Sequence, residues 1–113
     1  MKIYNSIASW IIKKRIYQIN LFVEFPHKFQ EKIRHELIQN AKKTVYGIKY
    51  NFKDIQTKSD FIKNVPLSNY DDLYPFINRM RSGEQNILWP TQIKWFAKSS
   101  GTENSKSKYI PIS

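Results

Sequence analysis

The sequence contains no cysteine and far fewer acidic than basic residues, nine against nineteen. Without cysteine the chain can form neither disulfides nor thiolate metal sites, which fits a reducing compartment. No apolar run approaches the roughly 20 residues that a transmembrane helix requires, and the first residues lack the apolar core and cleavage site of a signal peptide. We therefore expect a cytoplasmic protein with no membrane span.

The shortage of acidic residues leaves a net charge of +10 on 113 residues, which is large for this size. That charge supports one alternative function, a small basic module that binds nucleic acid or anionic lipid. No recognised DNA- or RNA-binding motif accompanies it, so we expect no specific nucleic-acid partner. The aromatic content of 15% instead indicates a chain that buries surface, with room for one small domain at most.

The most informative segment is 95–113. There an apolar run leads into the stretch Ser99–Thr102, and Lys106 and Lys108 follow before a second extended run. Hydroxyls and backbone N–H groups around a glycine can surround a phosphate, and a nearby lysine supplies the opposing charge. The paired glycine of a Walker A loop is missing. Composition alone is also typical of a solvated, flexible loop, so the phosphate-loop hypothesis needs support from elsewhere in the chain.

That support comes from the block between Pro66 and Gly83, which reads PLSNYDDLYPFINRMRSG. Together with the loop it resembles the auxin-responsive Gretchen Hagen family of acyl-acid amido synthetases, which are adenylate-forming ligases. Bacterial-type members look most similar. The resemblance covers roughly residues 26–113. The residues that match the family pattern are Tyr70, Asp72, Leu73, Pro75, Ile77, Arg79, Gly83, Ser99, Ser100, Gly101, Thr102, Lys108 and Pro111.

Two positions in the loop depart from the family pattern. Glu103 stands where the family usually has serine or threonine, and Ser105 stands where a glycine is common. A carboxylate at Glu103 would weaken phosphate binding unless it faces solvent or a bound Mg²⁺. The chain is also much shorter than the members of the family that it resembles. We therefore expect an N-terminal fragment of such a ligase, too short to be active alone.

The resemblance implies ATP-dependent adenylation of a small carboxylic acid, with Mg²⁺, followed by transfer of the acyl group to an amine or amino acid. It implies a catalytic role for Lys108, which would neutralise charge on the leaving pyrophosphate. No residue is predicted as a metal ligand, and the chain does not name the acyl acid or the amine. The expected phosphate-binding residues are Ser99, Ser100, Gly101, Thr102 and Lys106.

The predicted fold class is an α/β fragment, in which N-terminal helices precede an antiparallel β-hairpin that carries the phosphate loop. We expect an amphipathic helix within residues 1–25, docked on a core, then helical structure over 26–83. A loop and two strands should occupy 84–113. Together, residues 1–113 would be a partial N-terminal domain of an adenylate-forming ligase.

Local signals also predict where individual helices begin and end. Pro26 favours a helix start, and Gly47 is expected to end that helix. Ser59 is expected to cap a short helix. Ser68 and Asp71 have the spacing of a capping box for the next one.

That last helix should reach Arg81 and be closed by Gly83. Pro75 lies inside it and leaves two alternatives open, because proline lacks the N–H that a helix interior needs. Either the helix is kinked at Pro75, or a turn precedes a helix that begins there.

Overall fold

The computed structural model describes residues 2–101 and 107–113. The chain divides into two compact units, Met1–Arg34 and His35–Ser113. Helices precede a single two-stranded antiparallel hairpin in the described residues, so the predicted order is confirmed. The elements are α1 (Lys2–Glu24), α2 (Pro26–Ala41), α3 (Val45–Lys49), a 3-10 turn (Phe52–Asp54), α4 (Lys58–Asn64), α5 (Tyr70–Arg81), β1 (Trp95–Lys98) and β2 (Tyr109–Ile112).

In the first unit, α1 exposes many of its apolar side chains. Trp10 exposes 63% of its surface and Ile12 exposes 56%, and the docking of this helix on a core stays a prediction. The ring of Phe22 meets that of Phe29 edge to face, with 5.7 Å between centroids, which joins the end of α1 to the start of α2. Within the part of the chain that the structure describes, no helix has the length and apolar content needed to cross a membrane.

The helix that starts at Pro26 ends at Ala41, six residues before the predicted terminator. Thr44 then begins α3, because its side-chain oxygen accepts the N–H of Gly47 at 3.0 Å. The same hydroxyl donates to the Ala41 carbonyl at 2.7 Å, which fixes the turn between the two helices. Gly47 is therefore buried inside α3, and the prediction that it ends the preceding helix is wrong.

A capping box starts α4, with Thr57 as the cap. Its side chain accepts the N–H of Asp60 at 3.1 Å, and the Asp60 carboxylate accepts the N–H groups of Thr57 at 2.8 Å and Gln56 at 3.2 Å. These hydrogen bonds lower the pKa of Asp60 below its ordinary value of 3.8, because they stabilise the ionised form. The predicted cap, Ser59, lies within α4 instead, so that prediction is wrong.

The capping box makes the start of α4 sensitive to acid. We expect the amide protons of Gln56 and Thr57 to follow the protonation of Asp60 with a midpoint below pH 3.8. Since the folded-state pKa is the lower one, the carboxylate stabilises α4 above pH 3.8, and this stabilisation is lost as the pH falls through the folded pKa. An NMR titration of the two amides measures it.

The variant Asp60→Asn should flatten both titration curves, because it removes the ionisable group. The control Asp71→Asn changes an exposed carboxylate in a different helix and should leave the curves unchanged. A midpoint above pH 3.8 in the unmodified chain would contradict the prediction.

A second capping box starts α5, one residue later than the sequence predicts. The Asn69 side chain accepts the N–H groups of Asp71 at 2.8 Å and Asp72 at 3.1 Å, and the Asp72 carboxylate accepts the Asn69 N–H at 2.9 Å. The predicted pair of Ser68 and Asp71 is wrong because the Ser68 hydroxyl donates to the Pro66 carbonyl, at 3.2 Å, and does not cap the helix.

Pro75 is the sixth residue of α5, which runs through it from Tyr70. The alternative in which the helix begins at Pro75 is therefore wrong. As predicted, the helix closes at Gly83, whose φ of +97° lies in the left-handed region. The N–H of Gly83 donates to Met80 and that of Glu84 to Arg79, at 3.0 and 3.1 Å, which is the pairing of a Schellman motif.

The core of the second unit consists of two small groups of buried side chains that share one partner, Trp89. The first group joins the end of α2 to the 3-10 turn, and the second joins α5 to the segment before β1. Both are small for a unit of this length, since only eight hydrophobic residues are buried among the described residues. They are Ile38, Ala41, Phe52 and Ile55 in the first group, Met80, Ile87 and Ile93 in the second, and Ile77.

The two strands pair in antiparallel register, with Phe96 opposite Pro111 and Lys98 opposite Tyr109. Phe96 is half-buried and packs against the second group of buried residues. Side chains alternate between the two faces of a strand, so Trp95 lies on the opposite face, where it exposes 75% of its surface. One face of the hairpin thus packs on the core, and the opposite face is exposed.

Candidate functional site

The chain between α5 and β1 positions the hairpin. The side-chain oxygen of Gln85 accepts the N–H of Ile93 at 3.0 Å, two residues before β1. Asn86 takes a left-handed φ of 58° and donates to the Lys43 carbonyl at 3.0 Å. Its own carbonyl accepts the N–H of Val45, the first residue of α3. The start of β1 is therefore held to the buried part of the unit by side-chain and main-chain hydrogen bonds.

The hairpin brings the two ends of the predicted phosphate loop together. The N–H of Ser99 donates to the Lys108 carbonyl at 2.9 Å, and the N–H of Lys108 donates to the Ser99 hydroxyl oxygen at 3.0 Å. Because that hydroxyl accepts from the protein, its own proton remains to be donated outward. The loop is thus closed by a residue pair in which one member carries a hydroxyl and the other an ammonium group.

Tyr70, the first residue of α5, holds the strand next to this closure. Its hydroxyl accepts the N–H of Tyr109 at 2.8 Å and donates to the Tyr109 carbonyl at 3.3 Å. Both main-chain groups of a strand residue are therefore bound by one side chain. Tyr70 and Tyr109 are 39 residues apart in the chain, so this contact exists only after α5 and the hairpin have packed together.

Two cations lie over the aromatic rings of this contact. The ammonium group of Lys108 lies 5.5 Å from the centre of the Tyr70 ring. The guanidinium of Arg81 lies 3.8 Å from the centre of the Tyr109 ring. Both distances are within the range of cation–π attraction. The first and last residues of α5 thus contact the same end of β2.

The predicted site residues are placed as follows. Ser99 is half-buried and hydrogen-bonded to Lys108, and Ser100 and Gly101 are exposed directly after it. Thr102 and Lys106 lie outside the described residues. Ser99 and Lys108 are therefore brought together by the fold, nine positions apart in the chain.

The sequence patterns indicate no role at this site for Tyr70 or Arg81. In the sequence, Tyr70 is only one of many positions that match the family pattern. Local spacing cannot predict its hydrogen bonds with a strand residue, because each partner only fits the pattern of its own helix or strand. The only available signal was its place in the matching block.

The donors near the loop closure fit a polyphosphate, since the Ser99 hydroxyl and the Lys108 ammonium can both bind anionic oxygens. The described residues provide fewer ligands for a divalent cation. Among the residues that the structure describes, no group of three or more histidine or acidic side chains could hold a metal ion. The Mg²⁺ that the resemblance implies is therefore not assigned to any of the residues that the structure describes.

The geometry thus defines a small α/β unit whose hairpin closes a loop of hydroxyl and lysine side chains. Residues 15–113 match the family model described as the GH3 family N-terminal domain. The chain therefore belongs to the GH3 family, the auxin-responsive Gretchen Hagen family that the sequence resembles, and the predicted family is confirmed. No solved structure matches the chain significantly.

Curated relatives carry the same likeness. The chain is 31% identical over 87 residues to the indole-3-acetic acid-amido synthetase GH3.2 of Arabidopsis thaliana, a match that covers 76% of this chain and 16% of that protein. It is 32% identical over 83 residues to the 4-substituted benzoates-glutamate ligase GH3.12 of the same plant, which covers 73% and 14%. The chain therefore spans less than a fifth of the length of these relatives.

Proposed function

We propose that these residues serve, within a chain of family length, as the N-terminal part of an ATP-dependent acyl-acid amido synthetase. Membership of the family supports this function. Two relatives are named as an indole-3-acetic acid-amido synthetase and a 4-substituted benzoates-glutamate ligase. The observation that carries the proposal is the closure of the loop by Ser99 and Lys108.

In the proposed reaction a carboxylate oxygen attacks the α-phosphorus of ATP and the bond to the bridging oxygen breaks, which releases pyrophosphate and leaves an acyl-adenylate. The neutral amine then attacks the acyl carbonyl and releases a proton to solvent, and AMP leaves with the electron pair of the broken C–O bond. Mg²⁺, when bound, would screen the phosphate charges. Negative charge grows on the leaving pyrophosphate in the first step, so positive groups placed there accelerate it.

The loop would provide this positive charge and the positioning. We assign phosphate binding to Ser99, Ser100, Gly101, Thr102 and Lys106, and charge neutralisation to Lys108. The Ser99 hydroxyl can donate its proton to a phosphate oxygen while it still accepts the Lys108 N–H. Lys108 would then turn its ammonium from the Tyr70 ring toward the same phosphate. A charge-assisted hydrogen bond to a phosphate is stronger than an exposed cation–π contact, which favours that exchange of partners.

The test is a chimaera in which residues 15–113 replace the matching segment of the Arabidopsis GH3.2 protein. We expect this chimaera to exchange labelled pyrophosphate into ATP when indole-3-acetic acid is present, and not without it. The isolated 113-residue chain should show no exchange, because it spans so little of the relatives' length.

The unmodified relative, prepared in parallel, is the control for the assay. Exchange that does not depend on a carboxylate would count against adenylation. A folded but inactive chimaera beside an active relative would show that these residues cannot replace the family segment, and the proposal would then be wrong.

A further inference from the structure

The two main-chain groups of Tyr109 point away from β1. In an antiparallel pair, the N–H and C=O of one residue face the same side, and successive residues alternate between the partner strand and the outside. Ser99 and Lys108 bond to each other across the hairpin, so the next residue, Tyr109, faces outward. Its outward groups would ordinarily bind a neighbouring strand or water. Here they bind the hydroxyl of Tyr70, which acts as donor and acceptor at once.

This contact leaves Lys108 fixed from both sides. Its own N–H and C=O are bound by Ser99, and the peptide that follows is bound by Tyr70. The same tyrosine offers its ring to the Lys108 ammonium at 5.5 Å. One side chain therefore acts on Lys108 twice, through the main chain by its hydroxyl and on the charged group by its ring.

We propose that Tyr70 is a positioning residue for Lys108, which sets the position of the main chain at the end of the phosphate loop and holds the ammonium near the loop before phosphate is bound. The proposal rests on the proposed function of the loop. Tyr70 would not touch the substrate. It would act only through Lys108, and that restriction makes the idea testable.

The variant Tyr70→Phe removes the hydroxyl and keeps the ring, so the main-chain groups of Tyr109 lose their partner. In the chimaera we expect pyrophosphate exchange at saturating ATP to fall by about 10- to 100-fold, because small displacements of a catalytic group are costly. The KM for ATP should stay nearly unchanged, since Lys108 helps mainly when charge develops on the leaving group. Tyr70→Leu, which also removes the ring, should lower the rate further.

A double variant separates positioning from a general structural role. If Tyr70 acts through Lys108, then Tyr70→Phe should cause little additional loss in a chimaera that already carries Lys108→Ala. Two independent roles would instead give effects that multiply. Tyr74→Phe is the matched control, because that tyrosine lies one turn along the same helix with its ring 6.0 Å from that of Tyr70. It should keep full activity.

Hydrogen exchange at Tyr109 provides a readout that does not depend on catalysis. Its amide should exchange faster in Tyr70→Phe than in Tyr74→Phe, because only the first loses the 2.8 Å hydrogen bond. If Lys108→Ala is impaired while Tyr70→Phe is fully active, the positioning role is wrong and the loop's function survives. Multiplying effects in the double variant would also overturn it. If the unmodified chimaera is inactive, both proposals fail together.

Discussion

Replacing Lys108 by alanine in the chimaera should slow carboxylate-dependent pyrophosphate exchange by about 100- to 1,000-fold. Lys108 carries an ammonium group, and its main chain is itself part of the loop closure. Its charge would be most useful as pyrophosphate leaves, so the loss should appear in the rate and much less in the KM for ATP.

Gly101→Val should be at least as damaging, because a branched side chain would keep phosphate oxygens from the main-chain donors of the loop. Two further variants change positions that lie outside the described residues. Lys106→Ala should matter less than Lys108→Ala, and Glu103→Thr should leave activity unchanged or raise it by removing a negative charge.

Lys94→Ala is the matched control, since it removes an exposed lysine close to the same hairpin but outside the loop. It should retain full exchange activity. If Gly101→Val and Lys108→Ala both retain it too, the loop is only a connection between strands and the central inference is wrong.

Gly47→Ala should destabilise the 113-residue chain by about 2–4 kcal/mol. A Cβ atom on this buried helical residue would collide with the main-chain oxygen of Ala41. That oxygen already accepts both the N–H of Thr44, at 3.0 Å, and its hydroxyl, at 2.7 Å. The added methyl group would therefore displace the acceptor on which the whole turn between α2 and α3 depends.

Urea unfolding measures the loss, and hydrogen exchange of the α3 amides locates it. The control Ile48→Ala changes the next residue of the same helix, which exposes 66% of its surface. Such a surface change should alter the free energy of unfolding by less than about 0.5 kcal/mol. Equal stability of Gly47→Ala and the unmodified chain would show that the turn adapts, and the predicted collision would be refuted.

Sequence patterns predicted the order of elements but not the exact helix ends. Two short apolar runs on either side of a polar loop sufficed for the hairpin, and the φ requirement at Gly83 sufficed for the end of α5. Cap positions were less certain because polar residues compete at neighbouring positions. Ser68 and Asn69 both suit a cap, and only the hydrogen bond of Ser68 to Pro66 decides between them.

The role of Gly47 was mistaken for a similar reason. A glycine after a long apolar stripe usually ends a helix. Here the helix had already ended, because the N–H groups of Val45 and Tyr46 find acceptors in Asn86 and Ile87, some 40 residues further along the chain. Those distant carbonyls allow a new helix to begin where local signals indicate an end.

Part of the candidate site could likewise be predicted from the sequence, and part could not. The resemblance implied that Ser99 and Lys108 belong to one phosphate loop. The fold brings the two residues into contact, and their roles stay predictions. The supporting side chains of Tyr70 and Arg81 could not be derived from spacing, because they belong to a helix that precedes the hairpin and meet it only through tertiary packing.

Pro111 has a consequence for how this sheet can grow. It lies opposite Phe96, two residues beyond Tyr109, so its nitrogen also faces away from β1. That nitrogen carries no hydrogen, and the groups of Tyr109 are already bound by Tyr70. The outer side of β2 therefore has few main-chain groups that could pair with another strand. On β1, by contrast, the main-chain groups of Phe96 and Lys98 still face outward. One edge of this two-stranded sheet is therefore blocked to further strand pairing, and the other edge remains available for it.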